Sequence, residues 1–531
     1  MDSQPYTLSN WVRILKNKML SSHFITWYAN TTLKQSTTNM TMYITPQPHF
    51  VIDHSTSCST MDANCKWPDQ FAKHISDKVH RQVQKMLGES RLTRNNDNNI
   101  QLVQPDAIYS IDQVLGSGAF SQVSAVTTKD GRRYACKHLQ QKLMEKPEDF
   151  QLAAAELAFE AHILSSFDHP NILKIRGWAA NGIASFESGK HDSFFLILDL
   201  LEETLDQRII RWRDNELNLL HDETSSTDSL PNLILDEGVS IDNTFYHNHN
   251  GYHQPQQSDA TDRNLRKQTL FLDKIRIMTE IASALDYIHN QGVVFRDLKP
   301  QNIGFSAETD SVQIFDFGLS RELPSLDTSA PFSMSGKVGT LRYMAPEVAT
   351  NQAYNISSDV YSWAIVSYEL LSLEKPFDGW TRDLHSELVC TRGLRPDTSN
   401  TLHPISSELK VILEQAWSPI PSNRGTMSQI GAQLQCLMSN QMAYIAEQQK
   451  LQSKIQELEQ QQMSFAAGSS PSGETPNHFY IDNISLCMLN SSSPPTTIPP
   501  PAPTTISRNL SFESIETIHT RAQSVEDFHY F

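Results

Sequence analysis

The sequence predicts an α+β fold in two lobes: a small antiparallel β lobe with one main helix, then a larger, mostly helical lobe, set between disordered flanks. Three observations predict it. Past Tyr109, short β-type runs ("VSAVTT", "RRYACKHL", "SFFLILDLL") are split by one helical stretch, "DFQLAAAELAFEAHILSSF". Past Asn264, apolar residues recur at helical intervals. The ends of the chain are polar, and a hydrophobic content of 39% over 531 residues is low for a wholly globular chain.

Taken in order, residues 1–107 form an extension rich in Ser, Thr, Asn and Gln, expected to be largely disordered. Its exception is "NWVRILKNKMLSSHFITWY" (10–28), a basic amphipathic stretch that suits either a membrane surface or a short packed helix. The folded part is expected over 108–437. In "LDKIRIMTEIASALDYIH", the residues Ile277, Met278, Ile281, Ala282, Leu285 and Ile288 mark one buried helix face. "SSDVYSWAIVSYELLS" and "ELKVILEQAW" read as further helices. A polar insertion at about 213–264 has little that could enter a core, and its His247, His249 and His253 lack acidic or cysteine ligands at fixed spacing. Residues 438–463 suggest a short helical segment around Leu451, Ile455 and Leu458. Residues 464–531 are Ser- and Pro-rich, and "PPTTIPPPAPTT" favours polyproline II.

Charge and cysteine usage narrow the function. Forty-three Lys and Arg against 60 Asp and Glu give −17, which argues against a nucleic-acid-binding surface. Six scattered cysteines with no CxxC pair suit a reducing compartment, so a cytoplasmic or nuclear protein is expected. No apolar run approaches the ~18–20 residues that would span a bilayer.

The chemistry-bearing motifs succeed one another along the folded part. "LGSGAFSQV" places Gly116, Ser117, Gly118, Ala119, Phe120, Ser121 and Val123 between two β-type runs. Glycines there let a backbone approach phosphate oxygens, although a plain hairpin turn explains the motif as well. In "RRYACKHL", alternation puts Ala135 and Lys137 on one strand face. With Val123, Ala135 would enclose an adenine while Lys137 reaches phosphates. Glu160, on the next helix, can pair with Lys137. The densest pattern is "VVFRDLKPQN" together with the later "DFGLS": Asp297 and Asn302 stand five residues apart, and Asp316 lies fourteen beyond Asn302. Asp297 would orient a hydroxyl and accept its proton, Asn302 and Asp316 would hold Mg²⁺, and Lys299 would meet a phosphoryl group transferred from ATP.

In this order and spacing, residues from about Tyr109 to Leu437 resemble a eukaryotic protein kinase. The match continues through "GTLRYMAPE", Asp359 and Arg424. The resemblance implies the bilobal kinase fold, ATP and Mg²⁺ as cofactors and protein substrates. It also implies a linker "LDLLEE" with Leu198 at the gate of the adenine pocket and backbone hydrogen bonds from Asp199 to Leu201. It implies that Glu347 and Arg424 form a buried pair and that Asp359 ties down the catalytic loop. "DLKPQN" with Thr340 looks like the serine/threonine-directed type, and "GTLRYMAPEV" looks most like its tyrosine-kinase-like branch. Phe295 stands where the family usually has histidine. The resemblance implies that the side chain at that position packs beneath Phe317 and does no proton chemistry, so the change argues only weakly for the alternative, a pseudokinase or scaffold without turnover. A phosphate on the Ser- and Thr-rich stretch Ser325, Thr328, Ser329, Ser333, Ser335 could pair with Arg296.

Overall fold

The computed structural model describes residues 66–94, 100–225, 257–325, 327–399, 401 and 405–468. The amphipathic stretch at 10–28, the three insertion histidines and the Pro-rich tail lie outside the described residues.

The first described element is helix α1 (Asp69–Glu89), inside the extension expected to be irregular. Its apolar positions are thinly spread among Lys, His and Gln. Yet Ala72, Ile75, Val79 and Val83 fall on one face and are all buried. The small lobe comes next. Strands β1 (Gln101–Val103), β2 (Ile108–Ser117), β3 (Ser121–Thr128), β4 (Arg133–Leu139), β5 (Ile175–Ala179) and β6 (Phe195–Leu198) form one sheet in the order β1-β5-β6-β4-β3-β2. Its pairs are antiparallel except at the edge, where β1 joins β5 in parallel. Gly177 permits that pairing, because a Cβ there would lie 2.5 Å from the Gln101 carbonyl oxygen. Between β4 and β5 runs helix α2 (Pro147–Ser166), with proline in its first turn beside Glu148 and Asp149, which suits the helix N-terminus.

The chain passes through β7 (Leu201–Thr204) into the helical lobe. Helices α3 (Leu205–Ser225) and α4 (Gln257–Asn290) bracket the polar insertion and extend into its expected limits from both sides. All six apolar positions of α4 singled out by periodicity are buried. Short strands β8 (Val293–Val294), β9 (Ile303–Ser306), β10 (Val312–Ile314) and β11 (Arg321–Glu322) frame the loops that carry the chemistry. β9 pairs with β7 and β10, and β11 with β8. Helix α5 (Ser357–Ser372) runs through the centre of the lobe with nearly every residue buried. Helix α6 (Ser407–Ala416) starts at Ser406, whose hydroxyl accepts from the Leu409 amide. Helix α7 (Met427–Gly468) is one continuous element. The separate segment expected from 438 is therefore its second half: the start is anchored by buried Met427, Ile430 and Leu434, and the helix then runs out into exposed residues.

Candidate active site

The small-lobe sheet supplies one wall of the site. In the antiparallel register Val123 faces Lys137 and Ala135 faces Leu198, so these four side chains share one face. The β2–β3 turn, Ser117 to Ser121, projects over the same region. A Cβ at Gly116 would meet nothing within 4 Å, and one at Gly118 only the Ser121 carbonyl at 3.7 Å. Packing within the protein therefore does not demand glycine at either position.

Gln140, which sequence reasoning passed over, holds this turn. Its Nε2 donates to Ser117 Oγ at 2.7 Å and to the Gly118 carbonyl at 2.5 Å. The only signal for it was its place one residue past β4.

Lys137 is buried and its Nζ donates to both Glu160 oxygens, at 2.8 and 2.7 Å, and to Asp316 Oδ1 at 2.7 Å. Helix α2 brings Glu160 there because its apolar face packs on the sheet. Burial alone would push the Lys137 ammonium down, but Asp316 and Glu160 outweigh it and hold its pKa above the ordinary lysine value. Burial in turn raises the Glu160 carboxyl against the pull of Lys137. Asp316 differs: its side chain is 44% exposed, and Lys137 holds it below the usual carboxylate range. It stays charged and open to the cleft.

The opposite wall comes from the loop after β8. Asp297 Oδ1 accepts from the Thr340 amide (2.8 Å) and hydroxyl (3.0 Å), and its Oδ2 accepts from Lys299 Nζ (2.6 Å). Asn302 Nδ2 donates to the Asp297 carbonyl at 2.9 Å and to Oδ2 at 3.1 Å, so the Asn302 amide oxygen is used in neither bond. The loop backbone is pinned from below. Asp359 accepts from the amides of Phe295 and Arg296 at 2.8 Å each and lies 2.9 Å from His289 Nε2. Arg296 and Asp316 both have positive φ, 73° and 66°, strain that this network holds in place. Gly339 has φ +97°, and a Cβ there would fall 2.5 Å from the Arg296 carbonyl oxygen, so only glycine lets Thr340 reach Asp297.

Lys137 pairs with Asp316 on one wall and Asn302 with Asp297 on the other, and the Phe315 amide donates to the Asn302 carbonyl at 3.0 Å, which sets the two pairs side by side. Asp316 and Asn302 offer oxygen donors, and among the described residues no group of three or more His, Cys, Asp or Glu forms a cage. An open pair of oxygen ligands suits Mg²⁺, which keeps several waters and takes phosphate oxygens as further ligands. The linker is only partly as expected. Leu198 is buried in β6, but the Asp199 amide already donates to the Lys174 carbonyl at 3.2 Å, and its carboxylate binds Arg176 at 2.7 Å. Asp199 can therefore offer a ligand its carbonyl but not its N–H. Glu347 and Arg424 are buried and paired at 2.6 and 2.9 Å.

Residues 109–434 match the family model of the protein tyrosine and serine/threonine kinases. Similar curated proteins include a probable serine/threonine-protein kinase of Dictyostelium discoideum, 26% identical over 60% of this chain and 19% of its own length. The serine/threonine-protein kinase STY17 of Arabidopsis thaliana is 33% identical over 29% of this chain and 26% of its own. The serine/threonine/tyrosine-protein kinase HT1 of Arabidopsis thaliana is 34% identical over 30% of this chain and 39% of its own. The chain spans well under half the length of each of these relatives.

Proposed function

The chain belongs to the protein tyrosine and serine/threonine kinase family, and from that premise we propose that it is an ATP- and Mg²⁺-dependent serine/threonine protein kinase. The observation that carries this reading is the pairing of Lys137 with Asp316 beside that of Asn302 with Asp297, the two pairs joined through the Phe315 amide and the Asn302 carbonyl. ATP supplies the phosphoryl group, and bound Mg²⁺ neutralises charge on the phosphate oxygens. Asp316 and the Asn302 amide oxygen would hold the metal. Lys137, fixed by Glu160, steadies the phosphates, while the turn from Gly116 to Ser121 covers them. Asp297 orients the attacking hydroxyl and takes its proton at a carboxylate oxygen. Lys299, already on Asp297 and within 3.2 Å of Thr340 Oγ1, meets the phosphoryl group in transfer. Val123, Ala135 and Leu198 line the adenine side, and the linker offers the Asp199 carbonyl and the Leu201 backbone.

Neither departure from the family pattern weakens this reading. Ser121 opens β3 with its carbonyl accepting from the Gly118 amide, and Phe295 packs without touching the reacting groups. A scaffold without turnover has no other support. The scattered cysteines fit a cytosolic or nuclear setting, and no helix of the described residues is long and apolar enough to cross a membrane. The test is labelled ATP with Mg²⁺, offered with peptide arrays that present Ser, Thr or Tyr. Label on Ser and Thr supports the proposal. Label on Tyr alone, or none, contradicts it.

A further inference from the structure

The segment 66–94 lies outside the family match, yet it is built into the small lobe. Trp67 donates from Nε1 to the Met144 carbonyl at 3.3 Å and sits edge-on against Phe150, with ring centroids 4.7 Å apart. Its amide donates to the Gly189 carbonyl at 2.9 Å. Gly189 has φ +76°, and a Cβ there would lie 2.6 Å from the Trp67 carbonyl oxygen, so a glycine inside the matched domain is fitted to the extension. From there α1 runs along α2. Ser76 Oγ donates to the Ile183 carbonyl at 3.2 Å, and Gln82 Oε1 accepts from Gln151 at 3.1 Å.

The residues just past the end of α1 bear on the active site. Ser90 Oγ donates to Glu322 Oε1 and lies 3.1 Å from His162 Nε2. The Arg91 amide donates to Glu322 Oε2 at 2.8 Å, and its guanidinium donates to the Leu323 carbonyl at 2.6 Å. Arg94 lies over the Trp178 ring, 5.1 Å from its centroid. His162 is two residues past Glu160 on α2, and Glu322 is six past Asp316. One serine therefore joins the helix that carries the partner of Lys137 to the strand that leaves Asp316. Beside it, Arg321 Nη2 donates to Glu156 Oε1 at 3.2 Å, a second bond between the same two elements.

Resting on the kinase reading above, we propose that Ser90 and Arg91 are positioning residues for phosphoryl transfer. They brace α2 against β11 so that Glu160, Lys137 and Asp316 stay assembled, which makes the segment 66–94 an activating part of the catalytic domain. Neither residue touches the reacting groups, so the effect falls on the rate at saturating substrate rather than on peptide binding.

The test uses the full chain with Ser90→Asp, which sets a carboxylate against Glu322, and the double variant Ser90→Asp/Glu322→Gln. In the double variant the amide can accept from the Arg91 N–H and donate to the new carboxylate, which remakes the brace. Ser90→Asp should lower kcat between about ten- and a hundredfold, with the peptide KM little changed, as displacement of an assembled site does. The double variant should recover most of that loss. Amide hydrogen exchange in 147–166 and 316–323 should quicken in the single variant and return in the double. A Ser90→Asp protein with wild-type kcat and exchange, or a double variant no better than the single, overturns the proposal. Should the wild type transfer no phosphate at all, the kinase reading fails, and the exchange rates still decide whether the brace exists.

Discussion

The rings of Phe295 and Phe317 meet edge to face with centroids 5.0 Å apart, and both are fully buried. Phe167 packs on Phe317 from another side at 5.7 Å. An apolar ring at 295 therefore supports the residue that comes directly after Asp316, a packing task with no proton to move. Phe295→Leu, which roughly keeps the volume, should cost less than about 1.5 kcal/mol of stability and leave turnover near wild type. Phe295→Ala should cost about 3–5 kcal/mol and lower turnover, because the cavity loosens Phe317. Denaturant unfolding and rate assays on both variants check this. A Phe295→Leu protein that folds but is dead would give the ring a chemical role that the packing does not suggest.

The buried pair of Glu347 and Arg424 is structural. Arg424 Nη1 also donates to the Ser357 carbonyl at 2.9 Å, which ties the pair to the start of α5. Glu347→Gln leaves the guanidinium without its charge partner and should cost about 3–5 kcal/mol. Unfolding midpoints in urea measure it. A loss below about 1 kcal/mol would mean that water reaches the pair.

Stability should depend on pH through Glu369. Burial pushes its carboxyl from the ordinary 4.5 up to about 7, opposed by the Tyr343 hydroxyl, which donates to it at 2.7 Å. Between those two values the native state holds a proton that the unfolded chain has released, so stability falls as pH rises through that window. Glu369→Gln keeps an acceptor for Tyr343 and has no proton to lose. Between pH 5 and 8 the wild type should lose up to a few kcal/mol relative to this variant. Parallel profiles for the two proteins would contradict it.

Ser335 is the phosphate acceptor that the geometry favours in the segment after Asp316. It is exposed, and Arg296 Nη1 donates to its Oγ at 3.0 Å and to the Tyr354 hydroxyl at 3.0 Å. A phosphate there would gain a charge-assisted bond to Arg296 and stiffen the segment. Phosphatase treatment of active protein should lower its rate, and Ser335→Ala should remove the response. An unchanged rate after complete dephosphorylation contradicts this.

The candidate site is legible in the sequence where its residues lie in contiguous motifs. Asp297, Lys299 and Asn302 share one loop, and strand alternation alone puts Ala135 and Lys137 on one face. What escaped was tertiary. Helix α1 hides four buried apolar positions in a polar stretch whose composition reads as irregular. Strand β1 is three residues long, and its pairing with β5 depends on Gly177, more than seventy residues away. Ser90 finds Glu322 across 232 positions, a distance over which no local pattern carries information. Asp199 to Leu201 were expected to offer backbone hydrogen bonds; at Asp199 the N–H donates to the Lys174 carbonyl, a pairing 25 positions away that no local pattern shows.

The central claim is tested most directly by phosphate transfer from labelled ATP and Mg²⁺ by the wild type beside Asp297→Asn, with folding and nucleotide binding confirmed for both. Asparagine keeps the shape and, through its one amide oxygen, the acceptor for Thr340; its NH2 replaces the oxygen that accepts from Lys299 and Asn302, and the side chain cannot take the hydroxyl proton. The account predicts transfer by the wild type and a loss of about 10²–10⁴-fold in the variant. Equal incorporation by the two proteins would contradict it.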